Sequence, residues 1–431
     1  MATNNDLTTL LGNLGNVDAS GCPAPFIGEA LHPYKGGCKS ITIPKMRLIR
    51  TESKLTPRRS TVLGGRNCAP NPLDISANAS ACCIPCPVFD YVYSHNFKRE
   101  TDGAAWVHVV GLILSCILLI SYAVLPVEAT RRAYLNIMLL VGLVLFELGF
   151  VIPLARQPDQ CYDPVTPNDQ TSSLTCAFSG AFAAFGGLFL VTWVLIRALF
   201  MHLQICWDWI PGKMSYIAAN AGALLITIAL TTATLVHSGV SFRFGGYCHV
   251  NVGSIATYWG WLLAFCGMAC LLQFATFEYC IKVYLTNVLQ VRNDSQTESL
   301  TGSSRSRTAR ATARRVYQAL AVQWRSLAIV TVAIVTTALV CVVFIVFDDK
   351  LTQKAFAQTD DLVPWIICLI SSQDNDKCLG YTGVFILPES LAVATLFVRG
   401  FVGVEAFLLL SRVEMLKAWL KVVRRPRTEK S

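Results

Sequence analysis

Apolar residues run along this chain in blocks too long and unbroken for one face of a soluble helix. A bilayer core about 30 Å thick is crossed by roughly 20 mostly apolar helical residues. Seven runs of that kind occur, at about 104–125, 133–154, 177–201, 215–236, 256–286, 326–347 and 383–411. The stretch Trp106–Val124, for example, contains no Asp, Glu, Lys or Arg. The third block is rich in small residues (Gly180, Ala181, Ala183, Ala184, Gly186, Gly187), a composition that lets helix backbones approach closely within a membrane. The fifth and seventh blocks exceed a bilayer and are expected to tilt or extend into water. Leu362–Ile370 is apolar but too short to span, and reads as loop or the top of a helix. The pattern predicts an all-α membrane protein, a seven-transmembrane helix bundle with a small cysteine-rich N-terminal ectodomain. The expected divisions are a tail over 1–103, the bundle over 104–411, and an amphipathic cytoplasmic helix and tail over 412–431.

Composition agrees. Of 431 residues, 53% are hydrophobic and 15% charged, with a mean hydropathy of +0.49. A soluble domain carries about a quarter charged residues, so soluble, disordered and collagen-like classes are excluded. The net charge of +9 does not point to nucleic acid, because the charge is distributed by side. One set of flanks holds Arg131, Arg132, Lys213, the arginines from Arg292 to Arg325, and the basic residues from Arg412 to Lys430; the alternate loops hold Asp159, Asp163, Asp169, Asp348, Asp349, Asp360, Asp361, Asp374 and Asp376. Basic flanks face the cytoplasm, so the N-terminus is expected outside and the C-terminus inside, at the plasma membrane. The first 25 residues have no apolar core of a signal peptide, so the first helix is expected to drive export. The N-tail is itself basic around Lys45–Arg66, but long tails translocate largely regardless of charge.

Cysteine placement follows the same division. Cys22, Cys38, Cys68, Cys82, Cys83, Cys86, Cys161, Cys176, Cys248 and Cys378 lie in the expected outside segments, and the long inner loop and C-tail have none. These are the disulfide candidates, with connectivity left open by spacing. Asn78-Ala79-Ser80 is the expected glycosylation site, whereas Asn293-Asp294-Ser295 falls inside and should stay bare. The inner loop at about 287–325 interleaves Ser and Thr with Arg305, Arg307, Arg310, Arg314 and Arg315. It reads as a flexible segment, open to charge reversal by phosphorylation. After the seventh block, Val413, Leu416, Leu420 and Val423 share one helical face, flanked by Met415 and Trp419, with Lys417, Lys421, Arg424 and Arg425 opposite. That pattern fits a helix lying on anionic membrane lipids.

Charges within the blocks are costly and usually purposeful. Glu147, Arg399 and Glu405 are placed deepest, and the expected arrangement is an ion pair between the second and seventh helices. The alternative is an ion- or proton-coupled transporter that uses those three groups. The seventh block has no Lys for a retinal Schiff base, and no P-loop, HExxH or GxSxG pattern occurs. No catalytic residues, metal ligands or cofactors are therefore inferred.

Several strings sharpen the reading. Cys82-Cys-Ile-Pro-Cys-Pro87, His202–Trp207, Val240–His249, Leu272–Cys280 and Gln323-Trp-Arg325 together resemble the fungal type of Frizzled/Smoothened-like G-protein-coupled receptor. The resemblance implies a cell-surface receptor that takes an extracellular ligand and acts on a heterotrimeric G protein, with membrane lipids as its surroundings. It also implies that Cys176 and Cys248 tie the third helix to the outer loop. Arg197, His202, Trp324 and Arg325 would form the inner signalling face, with Arg325 at the family's inactive-state lock. Two departures are visible. The N-tail has six cysteines, fewer than a full Frizzled-type domain, and no Trp lies in the seventh block to meet Arg325.

Overall fold

The computed structural model describes residues 18–32, 66, 68–70, 81–130, 134–251, 253–294, 324–325, 327–346, 359–384 and 386–424. Cys38, Asn78, most of the Ser/Arg-rich loop and the last seven residues lie outside the described residues. Among the described residues, seven helices are long and apolar enough to cross a membrane: Phe97–Val124, Tyr134–Arg156, Leu174–Cys206, Lys213–His237, Ile255–Val283, Leu327–Val346 and Glu389–Leu410.

Local chemistry sets their ends. Pro126 follows Leu125, the first residue past the first span, and a residue preceding proline is biased away from helical backbone. Ser173 precedes the third span, and its side chain accepts a hydrogen bond from the Cys176 backbone N–H, satisfying one otherwise orphaned donor. The fourth span stops at Gly239, whose φ of +69° suits the glycine-favoured helix end. The first span begins at Phe97, seven residues before the hydropathy edge, because the added turns are amphipathic. Phe97, Thr101 and Ala104 face inward while Lys98, Arg99 and Glu100 face out. The segment around Leu362–Ile370 lies within a helix, Thr359–Ser372, rather than in a loop.

The third span is the axle. It packs on the second, fourth and fifth, and its small residues permit the contact. A Cβ at Gly186 would stand 2.4 Å from the Phe146 nitrogen, and one at Gly149 would stand 2.7 Å from the Ala183 nitrogen. Two apolar clusters fill the interior. One, nearer the N-tail, gathers Leu188, Trp259, Phe344 and Trp365; the other gathers Leu140, Trp193, Val330 and Leu410. The fourth span buries only Ala223, Thr227, Thr231 and Thr234 along one edge.

Small β elements cover one end. β1 (Ile27–Gly28), β2 (Cys68–Pro70) and β3 (Ala81–Cys83) form an antiparallel sheet in the order β1-β3-β2, stapled by Cys22–Cys82 and Cys68–Cys83. Such a short sheet has little core of its own, and cross-links supply what burial does not. β4 (Cys161–Asp163) and β5 (Thr166–Pro167) form a hairpin after the second span, and β6 (Val240–Phe244) and β7 (Tyr247–Val250) form another after the fourth. Cys86–Cys161 ties the tail to the first hairpin, Cys176–Cys248 ties the third span to β7, and Cys368–Cys378 closes the segment before the seventh span.

A buried arginine holds the tail down. Arg66 donates to the Thr166 hydroxyl at 2.8 Å and to the His32 carbonyl at 2.8 Å, and lies 3.4 Å from Asp163. Burial raises the Asp163 carboxyl, but hydrogen bonds from Val165 and Thr166 and the Arg66 charge outweigh it and hold it below the usual range. Arg66→Ala leaves these acceptors without their donor, at a cost of about 1–3 kcal/mol. Limited proteolysis should then cleave the tail faster while the bundle stays intact; an unchanged cleavage rate would contradict this anchoring role.

Candidate functional site

Polar groups that join one span to another occur at two levels. The first is in the half of the bundle near the N-tail. His108 of the first span is bonded through Nδ1 to Oε2 of Glu147 in the second, and both are sealed, at 1% and 0% exposure. Glu147 also sits where the first and seventh spans touch. Cβ atoms built at Gly111 and Gly403 would each stand 2.9 Å from its Oε1, so only glycine leaves room for the carboxyl. The expected ion pair between Glu147 and Arg399 is not formed. Arg399 instead bonds His249 of β7, Nη1 to Nε2 at 2.9 Å, and lies over the Phe150 ring at 4.2 Å. His249 contacts both Trp259 and Phe344, with centroids 5.5 and 4.9 Å away, and those two rings also meet each other at 5.1 Å. The guanidinium also lies over the faces of Phe146 and Phe344, at 5.7 and 5.6 Å, and these rings receive part of its charge. Glu405 makes no contact with either group; it lines a separate apolar pocket between the second, third, sixth and seventh spans, and its Oε2 has no partner.

β7 is buried along its whole length. Its first residue, Tyr247, donates to the Thr101 carbonyl at 2.5 Å, and Gly245, at φ +59°, lets the hairpin turn press against Thr101. The hairpin therefore plugs this end of the bundle, with Cys176–Cys248 fixing its depth.

The second level is at the far end. Arg197 of the third span donates to Asn136 Oδ1 of the second at 2.5 Å. His202, one turn further along the third span, meets Thr276 of the fifth at 3.0 Å. Arg325, just before the sixth span, donates to the Ser411 carbonyl at the end of the seventh at 2.7 Å. A helix C-terminus has carbonyls without intrahelical donors, so Arg325 satisfies one of them and needs no tryptophan. The Trp324 ring lies 5.4 Å from the Arg325 guanidinium and is half exposed. Together these contacts tie the second span to the third, the third to the fifth and the sixth to the seventh. Beneath them, the helix Val413–Arg424 turns Met415 inward, and Trp419 donates to Ser121 Oγ of the first span at 2.9 Å. Val413, Leu416 and Leu420 stay exposed, so the apolar stripe and the bundle contact occupy different faces.

The disulfides use nine of the cysteine candidates together with Cys368. Cys368 escaped sequence reasoning because it sits within an apolar run, although its position between the sixth and seventh spans was a usable signal. The six free cysteines among the described residues all lie in spans. Asn136, Thr276, Ser411 and His249 also went unnoticed, since neutral partners carry no pattern of their own. Among the described residues no group of three or more His, Cys, Asp or Glu side chains is placed to hold a metal ion.

No family model matches the chain. Among curated proteins, one named G protein-coupled receptor gprM, from Aspergillus fumigatus, is 35% identical over 408 residues, which cover 93% of this chain and 76% of that protein. With that identity over most of both chains, and with seven helices able to cross a membrane, the chain belongs to the G protein-coupled receptors.

Proposed function

We propose that this membrane receptor is of Frizzled/Smoothened-like type, lies in the plasma membrane with its N-terminus outside, and signals through a heterotrimeric G protein. The observation that carries the reading is the Arg325–Ser411 bond between the sixth and seventh spans. It stands where the resemblance puts an inactive-state lock, with a backbone carbonyl in place of the missing tryptophan. Ligand would favour a state in which the sixth helix moves away from the seventh. It can do so only by the difference in its affinity for the two states. Arg197, His202 and Trp324 would border the cleft so opened. The divisions at 1–103, 104–411 and 412–431 follow as ectodomain, transducing bundle and lipid-facing tail.

Arg325→Ala removes one charge-assisted bond, about 1.5–3 kcal/mol. Basal heterotrimer dissociation in cells should rise roughly tenfold or more if that bond restrains only the resting state. An unchanged basal level, at equal surface expression, would sink the lock. Orientation has its own test. A glycan should be found on Asn78 and never on Asn293; the reverse would invert the topology.

A further inference from the structure

A cleft of about 620 Å³ opens at the N-tail end, away from the bundle interior. Its walls are the linker and first turns of the first span (87–102), the end of the second span and the following loop (153–161), and the turn of the β6–β7 hairpin. No residue of the third, fifth, sixth or seventh span lines it. The size is that of a small-molecule site, and the walls are fixed. Cys86–Cys161 clamps one corner. Ser94 donates from both its N–H and its hydroxyl to Glu389, at 3.0 and 2.6 Å, and Asn375 donates to the Asp90 carbonyl at 2.6 Å.

The charge inside is lopsided. Asp90, Asp102 and Asp159 line the cleft against Lys98, and none of these three carboxylates makes an ion pair within the described structure. Lys98 acts electrostatically on Asp90 and Asp102 without closing on either. His95 points its ring at Asp376, 3.9 Å away. The carboxylates are spread along the walls rather than gathered, since no metal-holding cluster exists among the described residues. No three of them are placed to share one metal ion, whereas an ammonium carried on an apolar body needs only one carboxylate to bond. Phe89 and Leu154 add an apolar wall.

We propose that this cleft is a binding site for an organic cation, a protonated amine whose apolar body lies on Phe89 and Leu154 while its ammonium bonds Asp102 or Asp159 in the field of the remaining wall carboxylates. The inference rests on the receptor reading only in placing the cleft on the face that meets extracellular ligands.

The test is direct binding, with no signalling readout. Full-length receptor in lipid nanodiscs is titrated with dansylcadaverine, an aromatic primary amine whose fluorescence rises in apolar surroundings, and with its N-acetylated, uncharged derivative. Empty nanodiscs give the partition background. The amine should bind saturably and the acetylated form at least tenfold more weakly. Asp102→Asn combined with Asp159→Asn should weaken the amine roughly tenfold or more, since bonds to charged groups are the strong ones. Lys98→Ala should tighten it several-fold by removing the competing cation, a gain that a misfolded variant cannot mimic. Glu414→Gln, at the far end, should change nothing. Equal binding of the two probes, indifference to the aspartate variants, or no saturable binding to monodisperse receptor would each overturn the proposal. Failure here leaves the Arg325 result untouched, and failure of the Arg325 test leaves this binding result standing.

Discussion

His108→Ala is expected to destabilise the receptor by about 3–5 kcal/mol, because it strands a fully buried carboxyl whose bonded partner has gone. Glu147 cannot swing to a substitute. Its carboxyl fits closely against Gly111 and Gly403, where even an added Cβ would stand 2.9 Å from Oε1, and Arg399 is held by His249 and Phe150. The loss should appear as reduced surface expression and a lower midpoint in thermal unfolding of purified receptor. Glu147→Leu alone removes the carboxyl but leaves an imidazole unsatisfied among Phe146 and Phe150, and should cost less. Combining His108→Leu with Glu147→Leu removes both polar groups and should recover most of the loss, as apolar replacement of a buried pair often does. If the two single changes simply add, His108 and Glu147 do not act as a pair.

Gly186→Ala is expected to be nearly as damaging. The new methyl would stand 2.4 Å from the Phe146 nitrogen and 2.6 Å from its Cα, so backbone meets backbone and the second and third spans must separate. Overpacking of this kind costs about 1–3 kcal/mol and occasionally more. Gly149→Ala, facing the Ala183 backbone at 2.7 Å, should behave alike. Gly142→Ala should be milder, because its obstacles are the side chains of Phe189 and Leu190, which can turn. Gly222, in the fourth span, has nothing within 4 Å, and Gly222→Ala should raise the midpoint, since alanine is the better helix former. Unfolding midpoints of the four variants give the order, and equal losses at Gly186 and Gly222 would refute it.

Much of the architecture was legible in hydropathy alone. Twenty apolar residues in a row have few alternatives in lipid, where every backbone group must be bonded within its own helix, and all seven spans fall where the apolar runs do. The small residues of the third block were equally readable, because only close packing uses them in that density. The ends were less so. Phe97 and Thr101 extend the first span through a charged stretch whose inward face shows only once a neighbour covers it. Pairings across the bundle were the least visible. Glu147 was recognisable as a costly intramembrane charge, yet its partner turned on a choice between His108 and Arg399. In the fold His108 takes the carboxyl, while Arg399 bonds His249 and lies over the Phe150 ring. Arg325 stood out as basic and well placed, whereas its acceptor is a main-chain carbonyl, a group every residue has.

The linker bond between Ser94 and Glu389 fastens the start of the first span to the start of the seventh, and so closes the ring of helices at one rim. A clamped rim is a fulcrum. The seventh span, with 22 residues, is about 33 Å long at the usual rise. A tilt of about 5° at Glu389 would therefore carry its other end sideways by roughly 3 Å, more than a hydrogen bond such as that between Arg325 and Ser411 can stretch. Leverage of this kind turns a small push on the tail into a break at the opposite rim, passed through both halves of the span, Glu389–Gly400 and Val402–Leu410.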